Sequence, residues 1–266
     1  MLRLSAEASA RRLRRIRQQR RSPKDPNVVA IAVINESTAA TDAQVQAIMA
    51  ALQTQWNRDL APVWNIDTAV FTFVPKGQAP PPTSWQCVFL DDSDQAGALA
   101  YHDLTNTGLP LSKIFVKTLM SDNSSISVGA SHECCEMAVD PTINLAAQDA
   151  SGAFWAYEVA DPFEDDQYGY QIGGILVSDF ATPAWFGFAD AGTRPVDFMK
   201  HGTAAFQVLS GGYAQKYDPA SGWTQINGAE ARIKARKYVL TAPKGSRRDR
   251  RVRGSVSFQK SARKFV

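Results

Sequence analysis

Residues 124–141, SSISVGASHECCEMAVDP, constrain this chain more than any other stretch. Serines able to cap a helix open it, and Asp140-Pro141 closes it, because a residue before proline is steered out of the α region. Between them runs His132-Glu133-x-x-Glu136. On a helix, residues four apart leave the same face one turn from each other, so His132 and Glu136 project together and Glu133 stands at the rim of that face. This is the spacing of the H-E-x-x-H zinc helix with a carboxylate in place of the second histidine. Zinc takes imidazole nitrogen and carboxylate oxygen alike, so the replacement keeps two ligands.

The segments before this helix read as a strand, a long helix and then three strands. Residues 28–34, VVAIAVI, form a short continuous apolar run rich in β-branched residues, as a buried strand does. Thr41-Asp42 then caps a helix expected to run to about Asp59, with Ala43, Val45, Ile48, Met49, Leu52 and Trp56 at helical spacing. Two further strands are expected, from Trp64 to Val74 and from Trp85 to Leu90. A strand over Lys113–Lys117, with lysine at both ends, reads as a sheet edge. The H-E-x-x-E helix follows at once. Beyond it, a hairpin is expected from Ala205–Val208 and Tyr213–Tyr217 around Ser210-Gly-Gly212. The aromatic cluster Phe154, Trp155, Trp185, Phe186 and Phe188 reads as core.

Charge divides the chain into three. The net charge of +3 conceals nine Lys/Arg against Glu7 alone in residues 1–24 and thirteen against Asp249 alone in 232–266. The intervening residues hold seven Lys/Arg against twenty-four Asp/Glu. Basic blocks of this kind are expected to be solvated arms that contact polyanions or acidic partners, through Arg11, Arg12, Arg14 and Arg15 at one end and Arg247, Arg248, Arg250 and Arg251 at the other; the alternative is that they only solubilise the chain or dock on its own acidic body. The expected division is a basic arm over 1–26, a globular domain over 27–231 and a basic extension over 232–266. Ser22-Pro-Lys-Asp-Pro26 is the linker that ends any helix in the first arm. No apolar run approaches the roughly 18–20 residues that cross a bilayer, and the charged N-terminus is not followed by the apolar core of a secretory signal. Three cysteines, two of them adjacent, make no disulfide framework. A cytoplasmic protein without membrane association is therefore expected.

Three blocks carry a family resemblance. S-H-E-x-x-E-M-x-x-D-P is Ser131–Pro141, Y-E-x-x-D-P is Tyr157–Pro162, and S-D-F-x-x-P-x-W-F is Ser178–Phe186. Tyr101-His-Asp-Leu104 and the residues 108–116, GLPLSKIFV, extend the likeness upstream. Together they resemble a family of uncharacterised zincin-like proteins of bacterial and bacteriophage genomes, over roughly residues 85–215. The resemblance implies an α+β zincin-like domain: a mixed twisted sheet, a backing helix, and the H-E-x-x-E helix lying under the sheet with an edge strand beside the cleft. The basic ends lie outside it.

A mononuclear zinc hydrolase needs about three protein ligands and a water. His132 and Glu136 supply two, and Glu158 and Asp161 are the candidates for the third. By analogy with zincins that use a glutamate there, Glu158 is the expected ligand, with Asp161 supporting a zinc-bound histidine from behind; if Tyr157–Pro162 is a loop, Asp161 is as good a candidate. Glu133 is the expected general base on a peptide substrate. Two carboxylates and one histidine should weaken the Lewis acidity of Zn²⁺ and let Mn²⁺, Mg²⁺ or Ca²⁺ compete. The same helix could also hold no metal. Tyr101, His102, Tyr168 and His201 are candidate donors to a transition state. Cys134 and Cys135 read as core. The alternative function is a structural component of a phage virion, capsid- or tail-associated, whose arms hold neighbouring subunits or DNA; assembly into oligomers fits either reading, and in this one the protein would sit in the virion.

Overall fold

The computed structural model describes residues 28–95, 98–188, 194–229, and Asp249 and Arg251. Both basic blocks, including Arg11, Arg12, Arg14, Arg15, Arg247, Arg248 and Arg250, otherwise lie outside the described residues. Among the described residues the fold is mixed α+β, with three sheets and few helices. Among the described residues, no helix is long and apolar enough to cross a membrane.

The first sheet has five strands: β1 (Val29–Asn35), β2 (Ala69–Val74), β3 (Trp85–Leu90), β4 (Ala100–Leu104) and β5 (Pro110–Phe115), in the order β2-β1-β3-β5-β4. The first four neighbours run parallel, and β4 closes one side antiparallel to β5. Strand β1 is buried on both faces, with Ile31 and Val33 in the main core and Ala32 and Ile34 on the opposite side. This double burial accounts for its unbroken apolar run.

The sheet corrects one expectation. The strand ending at Phe115 is internal, and the edge belongs to β4. Its lysines are accommodated differently: Lys113 pairs with Asp94, and Lys117 lies beyond the strand, 2.9 Å from Asp91.

Helix α1 (Asp42–Thr54) starts at Thr41 with a reciprocal capping box to Gln44. It does not run evenly to Asp59. The coil widens into a π-helical turn over Gln55–Leu60, then returns to the α form in α2 (Ala61–Trp64). The widened turn carries buried Gln55, whose amide donates to the Ser178 carbonyl and whose Oε1 accepts from Ser131 Oγ. After β5 come α3 (Val116–Ser121) and α4 (Ile126–Val139), the H-E-x-x-E helix. Helix α4 packs against β4, β5 and α1.

The second lobe lies beyond α4. It comprises β6 (Ala146–Gln148), β7 (Phe154–Ala156), the hairpin β8 (Tyr170–Ile172) and β9 (Ile175–Val177), β10 (Tyr213–Asp218) and β11 (Gly222–Asn227). Strands β11, β10, β7 and β6 form an antiparallel sheet in that order. The expected hairpin is therefore displaced: Tyr213–Asp218 pairs with Gly222–Asn227 rather than with Ala205–Val208. The Asp218 carboxylate accepts the amides of Ala220 and Ser221, and Gly222 takes φ +80°, which builds the turn there. Phe206 at φ +58° breaks the competing strand. Trp155, Trp185 and Phe186 pack in the main core as expected.

Candidate metal centre

Helix α4 is sheathed on nearly every side, since Ser127, Val128 and all residues from Ala130 to Val139 are buried. A polar group on it must find a partner inside the protein. Ser125 caps its first turn and accepts from Val128 N. Gly129 sits close to Leu119, where a Cβ would lie 3.0 Å from a leucine methyl. Asp140 ends the helix, and its carboxylate accepts the amides of Asn144 and Leu145 at 2.9 and 3.1 Å.

The i,i+4 geometry places His132 Nε2 3.4 Å from Glu136 Oε1. The third group at this nitrogen is Asp161, with Oδ1 at 3.2 Å. These three residues form one potential ligand set, all buried. Glu158 does not join it, and the exchange of roles has a backbone cause. Tyr157–Ala160 is a loop, and Asp161 begins a 3₁₀ turn over Asp161–Phe163. The two carboxylates therefore diverge: Asp161 turns to His132, while Glu158 Oε2 lies 3.5 Å from His102 Nε2. The loop also closes over Glu136, whose Oε1 accepts the amides of Ala160 and Asp161 at 3.3 and 3.4 Å.

His102 comes from edge strand β4, opposite Ser112 of β5. Its Nδ1 lies 3.2 Å from Glu133 Oε2 and 3.3 Å from Glu136 Oε2. Strand alternation sends Tyr101 elsewhere, to Asp94. His201 lies 3.1 Å from Asp179, with the Tyr168 ring tilted against it at 58°, so these two expected donors belong to another cluster. Tyr213, on β10, stands near Asp161; burial first, and then the Asp161 charge, push its pKa well above the usual phenol value. His102 was visible in sequence as one of three histidines and through strand alternation, but only once β4 rather than Lys113–Lys117 is the edge. Nothing local marks Tyr213.

Arg251 departs from the expected polyanion-contacting arm and agrees with the alternative, docking of the basic block on the protein's own acidic body. It is fully buried, with Nε 3.4 Å from Asp140 and Nη2 2.6 Å from Glu158. A guanidinium buried against two buried carboxylates compensates charge inside the fold and is not available to a polyanion. Cys134 and Cys135 are buried, and neither enters a ligand set among the described residues.

Electrostatics follows from this crowding. Burial opposes protonation of His132, but Glu136, the hydrogen bond to Asp161 and Glu133 outweigh it and hold its pKa well above the usual imidazole value. Burial likewise opposes ionisation of Glu136, yet His132 and His102 carry its pKa well below the ordinary range. Asp161 goes the other way: burial and Glu136 raise its pKa over the pull of His132. Burial lifts Asp140 as well, against the pull of Arg251.

The donor set suits a divalent cation. One ring nitrogen of His132 faces carboxylate oxygens from two residues, and a single N–H serves only one of them well. A lone pair directed at a shared cation satisfies all three. Ligands about 2.0–2.1 Å from a tetrahedral ion sit about 3.3 Å from each other, and the observed separations of 3.4 and 3.2 Å match that spacing. No protein-family model, curated protein or solved structure matches this chain.

Proposed function

We propose that this chain is a divalent-metal-dependent hydrolase with a zincin-like body, acting on peptide bonds. The reading rests on one observation, the convergence of His132 Nε2, Glu136 Oε1 and Asp161 Oδ1 from one helix and the turn that closes over it. The antiparallel edge strand β4 beside α4 agrees with the layout expected of such a body.

When bound, the ion would polarise a carbonyl and make a water acidic enough to attack at neutral pH. The chain's own groups divide the remaining work. Glu133 follows directly on the ligand His132 and takes the proton. Its side chain and that of His132 keep 7% and 8% of their surface, against 1–3% for His102, Glu136, Glu158 and Asp161, so what exposure the group keeps is at the base and the neighbouring His132. His102 Nδ1, 3.2 Å from Glu133 Oε2, fixes that carboxylate's orientation. Tyr213 is half-buried beside Asp161 and supplies a hydroxyl donor for developing negative charge. The carboxylate-rich set favours Mn²⁺ as an alternative to Zn²⁺.

The test is metal content with peptide hydrolysis. Glu133→Gln should keep an ion at His132, Glu136 and Asp161 while hydrolysis of a quenched fluorescent peptide library falls by about 10²–10⁴-fold. Wild-type protein that takes up neither Zn²⁺ nor Mn²⁺ overturns the reading. A second reading, a virion component with basic arms, is favoured by the charge segregation alone. Under it, removing residues 1–24 abolishes DNA retention or assembly and leaves metal content intact.

A further inference from the structure

Three further clusters of titratable side chains stand out among the described residues. Asp179, Asp197 and His201 come together, but backbone amides of Phe180, Met199, His201 and Gly202 already bind the two carboxylates. Arg251 with Asp140 and Glu158 is an ion triad that explains itself by charge.

His102, Glu133 and Glu136 form a second potential ligand set, all buried. It repeats the signature of the first: one ring nitrogen, His102 Nδ1, faces oxygens of two different carboxylates, at 3.2 and 3.3 Å. The two sets share Glu136 alone, and each uses a different oxygen of it. Oε2 faces His102 and Oε1 faces His132. A carboxylate whose two oxygens serve two ligand sets has the disposition of a bridge between two cations.

The surroundings of His102 are those of a metal ligand. Its far nitrogen, Nε2, faces Glu158 Oε2 at 3.5 Å, and Glu158 Oε1 is held by Arg251 at 2.6 Å. An outer carboxylate at the second ring nitrogen is what sets the tautomer and orientation of a metal-binding histidine. Charge agrees. Glu133, Glu136, Asp140, Glu158 and Asp161 are buried. Among the described residues, Arg251 is the one arginine or lysine that reaches them. With all five carboxylates ionised and both imidazoles neutral, the state a metal-bound centre requires, one guanidinium leaves four negative charges, which two divalent cations would cancel.

We infer that the centre is dinuclear, with one divalent cation at His132, Glu136 and Asp161, a second at His102, Glu133 and Glu136, and Glu136 bridging the pair. The inference rests on the proposed reading of the first site. It assigns Glu133 Oε2 to the second cation and leaves Oε1 for the proton. It also moves the chemistry toward two-cation hydrolysis, in which one ion would hold the attacking water and the other would polarise the peptide carbonyl, the amine nitrogen leaving with the proton that Glu133 took.

The experiment uses the full chain, stripped with a chelator and dialysed against Mn²⁺, with Zn²⁺ in a parallel arm. Bound metal is counted, and low-temperature electron paramagnetic resonance reports whether two Mn²⁺ are exchange-coupled. Two equivalents with a coupled spectrum are expected. His102→Gln should fall to one equivalent with the six-line spectrum of an isolated ion. A wild-type count of one that His102→Gln does not change overturns the second site and leaves the first standing. Two ions without coupling overturn the bridge. A count of zero in both arms overturns the first reading as well. Should His102→Gln fail to fold, the wild-type count and coupling decide alone.

Discussion

Replacing Arg251 by methionine tests the buried side of the centre. The guanidinium is fully buried, and both carboxylates it meets are at most 2% exposed. Methionine fills most of the same volume but leaves Asp140 and Glu158 without their cation. Removing one partner of a buried ion pair costs about 3–5 kcal/mol, a large part of the roughly 5–15 kcal/mol that holds a typical domain folded. For a chain of this size about 4 kcal/mol corresponds to a fall in Tm of about 8–16 °C.

The loss has a pH signature with a definite sign. Burial already raises the pKa of Asp140 against the pull of Arg251, and without Arg251 it rises further. A carboxyl whose folded pKa exceeds its unfolded value of about 3.9 contributes stability that is complete below that value and is lost as pH rises through the folded pKa. The gap in Tm between wild type and Arg251→Met should therefore be small near pH 5 and widen toward pH 8. Thermal unfolding followed by circular dichroism over that range, on chelator-treated protein, measures it. Adding Asp140→Asn and Glu158→Gln to Arg251→Met should recover much of the loss, because no buried charge is then uncompensated. Equal Tm values throughout, or a gap that narrows with rising pH, would refute the placement of Arg251 inside the fold.

Three further outcomes are expected. Asp161→Asn should weaken Mn²⁺ binding at the first site more than Glu158→Gln, whose effect through His102 should be about 10–100-fold and confined to the second ion; competition with a chelator resolves the two. Gly212→Ala should also lower affinity without touching a ligand, because a Cβ there would lie 2.5 Å from the Pro162 carbonyl oxygen and 2.8 Å from that of Asp161, displacing the turn that carries Asp161. Burial, with Asp197 beside it, pushes the Asp179 pKa up to about 9, so its share of stability is present at acid pH and lost as pH rises through about 9. Asp179→Asn should flatten the fall of Tm between pH 6 and 9.

The parts that depend on short-range regularity were readable. Strand β1 follows from its β-branched run, the start of α1 from Thr41 and Gln44, and the limits of α4 from its serines and Asp140-Pro141. The failures have physical reasons. A helix pattern over 42–59 does not reveal the π turn, because that turn answers to Ser178 and Ser131, which are remote in sequence. Lysine at both ends of 113–117 suggested an edge, yet Asp94 and Asp91 receive those charges while the strand runs inside the sheet. The hairpin partner of Tyr213–Asp218 was misplaced because the Gly-Gly pair at 211–212 looks like a turn, whereas the turn is made at 219–222.

For the centre itself, the sequence alone determined that His132 and Glu136 share one helix face with Glu133 beside them, since helical pitch sets that geometry whatever surrounds it. It could narrow the next group to Glu158 or Asp161, but the choice lay in whether their backbone was helix or loop. Only the tertiary structure set Asp161 rather than Glu158 beside His132, brought His102 in from an edge strand thirty residues before His132, and carried Arg251 from a basic block into the interior. Those placements depend on strand register and chain path, which no local pattern of residues encodes.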